Sequence, residues 1–243
     1  METLIWSCNT CSSPVIFEVD DKLMDKSWIN RYRDTAKCAT CQATELKAKK
    51  EWELENVIIP KRIKASRLPL NFYPDGYEKS RLPEPELHDF VYANRQKSII
   101  LSDTYNAGKT GTLIHFGLIQ CKFDDVLFYL VPDLMDELAS CEHNFNRQSH
   151  FFDLMKKVKN VSLLILDDIG KEQKKDKYRQ WLYQIVDARY THNRRTWSTC
   201  NMGDEQYLRQ YGEDTSDPLK KRLAGKYGEV WDNVVLNNQI LKQ

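Results

Sequence analysis

The sequence predicts an α/β protein, a parallel sheet covered on both faces by helices, with a small cysteine-held module ahead of it. Three observations predict this. After residue 88, short apolar runs alternate with helix-like stretches, which implies parallel strands joined by helical crossovers. Two of those runs lead into polar residues suited to phosphate and metal, AGKTGT at 107–112 and LLILDDIG at 163–170. Four N-terminal cysteines form two C-x-x-C pairs.

The composition bounds the rest. With 243 residues, of which 41% are hydrophobic and 29% charged, the chain has room for one good-sized domain and a small one. A net charge of +1 argues against a protein whose main task is coating nucleic acid, while leaving room for a local basic strip. No apolar run approaches the ~18 residues needed to span a membrane. The start, METLIWSCNT, lacks the basic and apolar regions of a secretory signal, so a cytoplasmic location is expected. An odd count of seven cysteines argues against a disulfide framework.

Residues 1–45 read as a zinc-binding module. Cys8 and Cys11, then Cys38 and Cys41, can each bend as a knuckle and direct two thiolates at one ion. The segment SPVIFEVDD between the pairs reads as a strand, giving a zinc ribbon with knuckles at the ends of hairpins. Four redox cysteines are the competing reading, but a thioredoxin-like site needs one C-x-x-C in a βαβ context, which is missing. A closed four-thiolate site leaves no open position, so this Zn2+ is expected to fold the module rather than catalyse.

Residues 46–87 read as a helix and a linker. ATELKAKKEWELENV is rich in helix formers and mixed in charge, a solvated helix. Residues 59–87 hold five of the eight prolines and are expected to be extended.

Residues 88–243 read as the nucleotide-binding domain. Helices are expected at 88–96, 109–121, from Pro132 onward, at 149–159 and at 175–190, and strands at 98–102, 125–131, 163–167 and 196–200. A strand, a loop and a helix opening on G-K-T form the P-loop arrangement, in which backbone N–H groups cradle phosphates. Asn106, Ala107, Gly108, Lys109, Thr110 and Gly111 are the candidate nucleotide residues. Lys109 would reach the β- and γ-phosphates of ATP, and Thr110 would offer its hydroxyl to Mg2+. The loop departs from G-x-x-x-x-G-K-[ST], because Asp103 stands at the first glycine and Asn106 at another frequent one. Asn tolerates positive φ, so the loop can still form. The buried strand LLILDD delivers Asp167 to the Mg2+ shell and Asp168 to the attacking water. Aspartate, shorter than the usual glutamate, implies slow hydrolysis.

Further residues carry a family resemblance. STCNM at 198–202 places Asn201 at the sensor-1 position of AAA+ ATPases, and DPLKKRLAG at 217–225 places Arg222 at the arginine finger. KASRLPLNFY, VLFYLVPDLMDEL, LDDIGKE and ARY…RRTWSTCN complete the pattern. Over about 64–232 the chain resembles the DnaC/DnaI-type helicase loaders, to which the IstB transposition helpers are related, whether cellular or phage-encoded. The cysteine module resembles the zinc-binding N-terminal domain of DnaI-type loaders. The resemblance implies an AAA+ ATPase that self-associates, binds the replicative hexameric helicase through its N-terminal module, and helps place that ring on single-stranded DNA at the start of replication. It also implies that Asp168, Asn201 and Arg222 serve hydrolysis, Arg222 at a neighbour's ATP. For Arg222 the competing reading is a surface charge in KKR. The sequence after Arg222 holds no arginine, so no sensor-2 residue is assigned and a short or absent lid is expected. KEQKKDKYRQW at 171–181 has the basic and aromatic mixture of a single-strand contact, although a solvated helix start is the simpler reading. An IstB-like transposition helper and a non-hydrolysing nucleotide-binding adaptor are the alternatives.

Overall fold

The computed structural model describes residues 3–18, 33, 35–69, 85–102, 108–142, 148–201, 210–211, 219, 221–223 and, for their backbone, 2, 19 and 229–232. Asn106 and Ala107 lie outside the described residues, as do 70–84 of the expected linker. Two compact units divide the chain, Met1–Ile58 and Ile59–Gln243.

In the first unit β1 (Glu2–Ser7) and β2 (Pro14–Val19) form an antiparallel hairpin with Trp6 opposite Val15. Trp6 and Phe17 pack at 4.7 Å between ring centroids. Residues Cys8–Ser13 make the turn: Cys8 N–H donates to Ser13 O, and Ser12 N–H to Cys8 O, with Ser12 at φ 60°. The solvated helix expected downstream is α1 (Ala39–Glu53), on which no residue is buried. A π turn, Leu54–Ile58, follows it.

The second unit begins with α2 (Ile59–Ala65), where an extended linker was expected. Pro60 lies in the first turn of this helix, where a missing N–H costs nothing, so proline starts the element rather than forbidding it. The next residues dock on the domain. Ser66 O accepts the N–H of Phe128 at 2.7 Å, and Leu68 is buried. Arg67, at φ 58°, holds Glu137 through two hydrogen bonds of 2.7 and 3.2 Å and lies over the Tyr129 ring.

The rest alternates as expected. α3 (Pro85–Asn94) leads to β3 (Ile99–Ser102), α4 (Lys109–Gln120) and β4 (Val126–Leu130). α5 (Val131–Glu142), α6 (Gln148–Asn160), β5 (Leu163–Ile169), α7 (Asp176–Thr191) and β6 (Arg195–Cys200) follow. A short β7 (Glu229–Asp232), which the sequence did not announce, completes a parallel sheet of order β4-β5-β6-β3-β7.

Strand periodicity sorts the core into two layers. Leu163 and Ile165 face a cluster with Leu87, Leu113 and Trp197, while Leu164 and Leu166 face one with Leu134, Leu138, Trp181 and Ile185. Gly117 lets α4 approach the sheet closely: a Cβ there would lie 2.9 Å from Ile165 Cδ1 and 3.2 Å from Leu68 Cδ2. Arg189 is fully buried and donates to Thr196 Oγ1 and to the carbonyls of Val158, Val161 and Arg195, tying the end of α6 to the start of β6. Burial pushes its guanidinium down to about 9. No helix among the described residues is long and apolar enough to cross a membrane.

Candidate functional site

The site lies where β3, β5 and β6 end, the place where parallel sheets of this kind bind ligands. β3 hands the chain to α4 through Gly108, which adopts φ 79° just before the helix. Its carbonyl accepts both the N–H and the hydroxyl of Thr112, at 2.9 Å each. A left-handed residue at that point suits glycine and few others. Lys109 and Thr110 open α4, with Lys109 only 6% exposed, and Gly111 is half-buried beside them.

The structure brings Thr110 and Asp167 together. The Thr110 hydroxyl donates to Asp167 Oδ1 at 2.9 Å across 57 residues of sequence. Asp167 is 2% exposed and takes a second hydrogen bond from Thr199 on the same oxygen, at 2.5 Å. Burial raises its carboxyl above the usual range, and the two hydroxyls partly offset this. A buried carboxylate beside an alcohol is a hard oxygen donor set, and it fits Mg2+ held between protein and phosphate. Thr199 was missed in the sequence; only its place two residues before Asn201 could have drawn attention to it.

Asp168 follows Asp167 but has a different environment. Its φ of 59° is left-handed, its N–H donates to Thr199 Oγ1, and its Oδ1 accepts from Asn201 Nδ2 at 3.1 Å. Its Oδ2 pairs with Lys171 Nζ at 2.8 Å. Asn201 thus meets Asp168 from the next strand. Downstream, the buried Glu172 accepts from Gly170 N–H at 2.8 Å and from the Tyr211 hydroxyl at 2.5 Å, fastening the loop after β5 to residues 210–211.

Arg222 packs against α7. Its Nε donates to Asp187 Oδ1 at 2.5 Å, and its guanidinium lies over Tyr183 at 4.9 Å, both on α7. The partnership with Asp187 raises its already high pKa further. Leu219 and Leu223, on either side of it in sequence, are buried in the core.

The basic and aromatic stretch at 171–181 is a helix start and its lead-in. Tyr178 and Trp181 are 3% and 6% exposed and belong to the core, which withholds them from base stacking. Lys177 pairs with Glu142, and Lys175 lies over the Tyr178 ring.

In the first unit the sulfur atoms of Cys8, Cys11, Cys38 and Cys41 all lie within 4.8 Å of one another. Cys11 Sγ and Cys38 Sγ are 3.6 Å apart, close to the edge of about 3.8 Å that a tetrahedral Zn–S4 site requires. The set therefore fits zinc. The first pair occupies the hairpin turn, as expected for a ribbon. The second pair instead opens α1, with Cys38 at its N-cap and Cys41 in its first turn. Asn9 N–H donates to Ala36 O at 3.0 Å and joins the two knuckles. Hydrogen bonds from the backbone of Cys38, then of Thr10, pull the Cys8 thiol down to about 6, while hydrogen bonding to Cys11 pushes Cys41 up to about 12. Metal binding requires thiolates.

Residues 76–218 match the family described as IstB-like ATP binding protein. No curated protein matches the chain. Among solved structures, the DnaC helicase loader aligns at 19% identity and a TM-score of 0.50, covering 63% of this chain and 94% of that one. DnaI aligns at 20% identity and a TM-score of 0.49, covering 68% of this chain and 88% of that one. The replication initiator DnaA bound to AMPPCP and single-stranded DNA aligns at 15% and 0.49, covering 60% of this chain and 44% of that one. At this level of identity the likeness is one of fold, that of the AAA+ P-loop NTPases.

Proposed function

The chain belongs to the family of IstB-like ATP binding proteins, and from that premise we propose that it is a replication ATPase that loads the replicative hexameric helicase onto single-stranded DNA. The observation that carries the nucleotide reading is the meeting of Thr110, Asp167, Asp168 and Asn201 at one end of the sheet. Gly108, Lys109, Thr110 and Gly111 bind the phosphates of ATP, and Asn106 and Ala107 are the further nucleotide-binding residues of the proposal. Thr110 and Asp167 hold Mg2+, which when bound neutralises phosphate charge. Asp168 orients the attacking water and Asn201 holds Asp168 in place. Arg222, released from Asp187, reaches a neighbouring subunit's nucleotide, so self-association completes the site.

Cys8, Cys11, Cys38 and Cys41 hold Zn2+ and shape the module that docks the helicase; this module favours a loader over an IstB-like transposition helper. Single-stranded DNA is the proposed third partner, and the cytoplasm the proposed location. A second reading, a nucleotide-binding adaptor that does not hydrolyse, draws support from the Lys171 ion pair on Asp168. ATP hydrolysis that vanishes in Lys109→Ala and Asp168→Asn would eliminate it. The loader reading is tested by capture of the host's replicative helicase with the full-length, zinc-loaded chain. ATP-dependent capture supports it, and capture of a transposase instead sinks it.

A further inference from the structure

β5 and β6 pair in register to Leu166↔Ser198 and resume at Ile169↔Cys200. Two residues of β5, Asp167 and Asp168, therefore face one residue of β6, Thr199. This bulge has a chemical use. In an unbroken strand consecutive side chains point to opposite faces, so adjacent carboxylates could not both serve one ligand. A bulge breaks the alternation and re-aims a side chain, here with Asp168 at φ 59°.

The extra residue needs an acceptor for its N–H outside the ladder, and a non-glycine residue in the left-handed region needs something to hold it there. The Thr199 hydroxyl supplies both. It accepts the Asp168 N–H at 2.9 Å and donates its own proton to Asp167 Oδ1 at 2.5 Å. Thr199 is 1% exposed, which leaves bulk water no access to replace it.

We infer that Thr199 is a positioning residue whose single hydroxyl sets both carboxylates, Asp167 toward the metal and Asp168 toward the attacking water. The inference rests on the Mg2+–nucleotide reading of this site and adds the residue that builds it. Thr199→Val keeps the shape and removes the hydroxyl, while Thr199→Ser keeps the hydroxyl.

In the full-length protein, nucleotide binding is titrated with magnesium and repeated in chelator. Thr199→Val is expected to bind ATP without magnesium as the wild type does, but to need about ten-fold more magnesium for half-maximal effect. Thr199→Ser restores the wild-type requirement. Amide exchange at Asp168, measured without nucleotide, is expected to quicken in Thr199→Val and not in Thr199→Ser. Thr199→Ala replaces the valine variant if that variant does not fold. An unchanged magnesium requirement and unchanged Asp168 protection in the hydroxyl-free variant would overturn the inference alone. A wild type that binds ATP without any response to magnesium would overturn the reading of Asp167 and this inference with it.

Discussion

The two units stabilise themselves by different means. Among the described residues before Ile59, only Cys8 and Ala36 are buried, and α1 buries none. The second unit has two apolar layers against a five-stranded sheet, with Leu163, Leu164, Ile165 and Leu166 all at 0% exposure. One unit lacks the area for an apolar core and gathers four thiols instead; the other has the core and can place strained, buried polar groups at its edge.

The largest effect that would break this contrast is metal removal. Chelation is expected to unfold residues 1–58 while the second unit keeps its cooperative transition, since structural zinc contributes about 10–16 kcal/mol in comparable modules. Cys38→Ser should do the same. Two transitions in calorimetry, one of them chelator-sensitive, would show it; a single transition insensitive to chelator would refute it.

Next in size is Gly117→Ala. The new Cβ would press on Ile165 and Leu68, and overpacking of this kind costs about 1–3 kcal/mol. Denaturant unfolding should show the loss in the second unit only.

Asp167 sharpens the contrast from the other side. Its raised carboxyl means the folded protein binds a proton more readily than the unfolded chain. The unliganded second unit should therefore gain stability as pH falls through that raised value, down to the ordinary carboxylate range, while magnesium-dependent binding is lost over the same fall. Asp167→Asn should stabilise the apo protein by about 1 kcal/mol and abolish the magnesium response. The smallest effect is at Lys171: removing its ion pair with Asp168 in Lys171→Ala should raise ATP turnover a few-fold.

Much of this was legible in the sequence. Strands with four or more consecutive apolar residues and helices of ten or more announced themselves through period and length. The cysteine quartet and the pairing of Thr110 with Asp167 followed from residue types that few other contexts explain. What was hidden depends on backbone geometry. α2 was hidden because Pro60 reads as a breaker unless its place in the first turn is known, and β7 because four residues carry no period. The second cysteine pair opens a helix where a hairpin was expected, since C-x-x-C fits either. Thr199 was invisible because a bulge, which no pattern of residue types spells out, gives its hydroxyl a role.

The central claim is that Lys109, Thr110 and Asp167 form one Mg2+–nucleotide site. Calorimetric titration of ATP into the wild type and Lys109→Ala, with and without magnesium, tests it most directly. The account predicts magnesium-strengthened binding in the wild type and none in the variant. Equal binding in both proteins, or heat independent of magnesium, would contradict it.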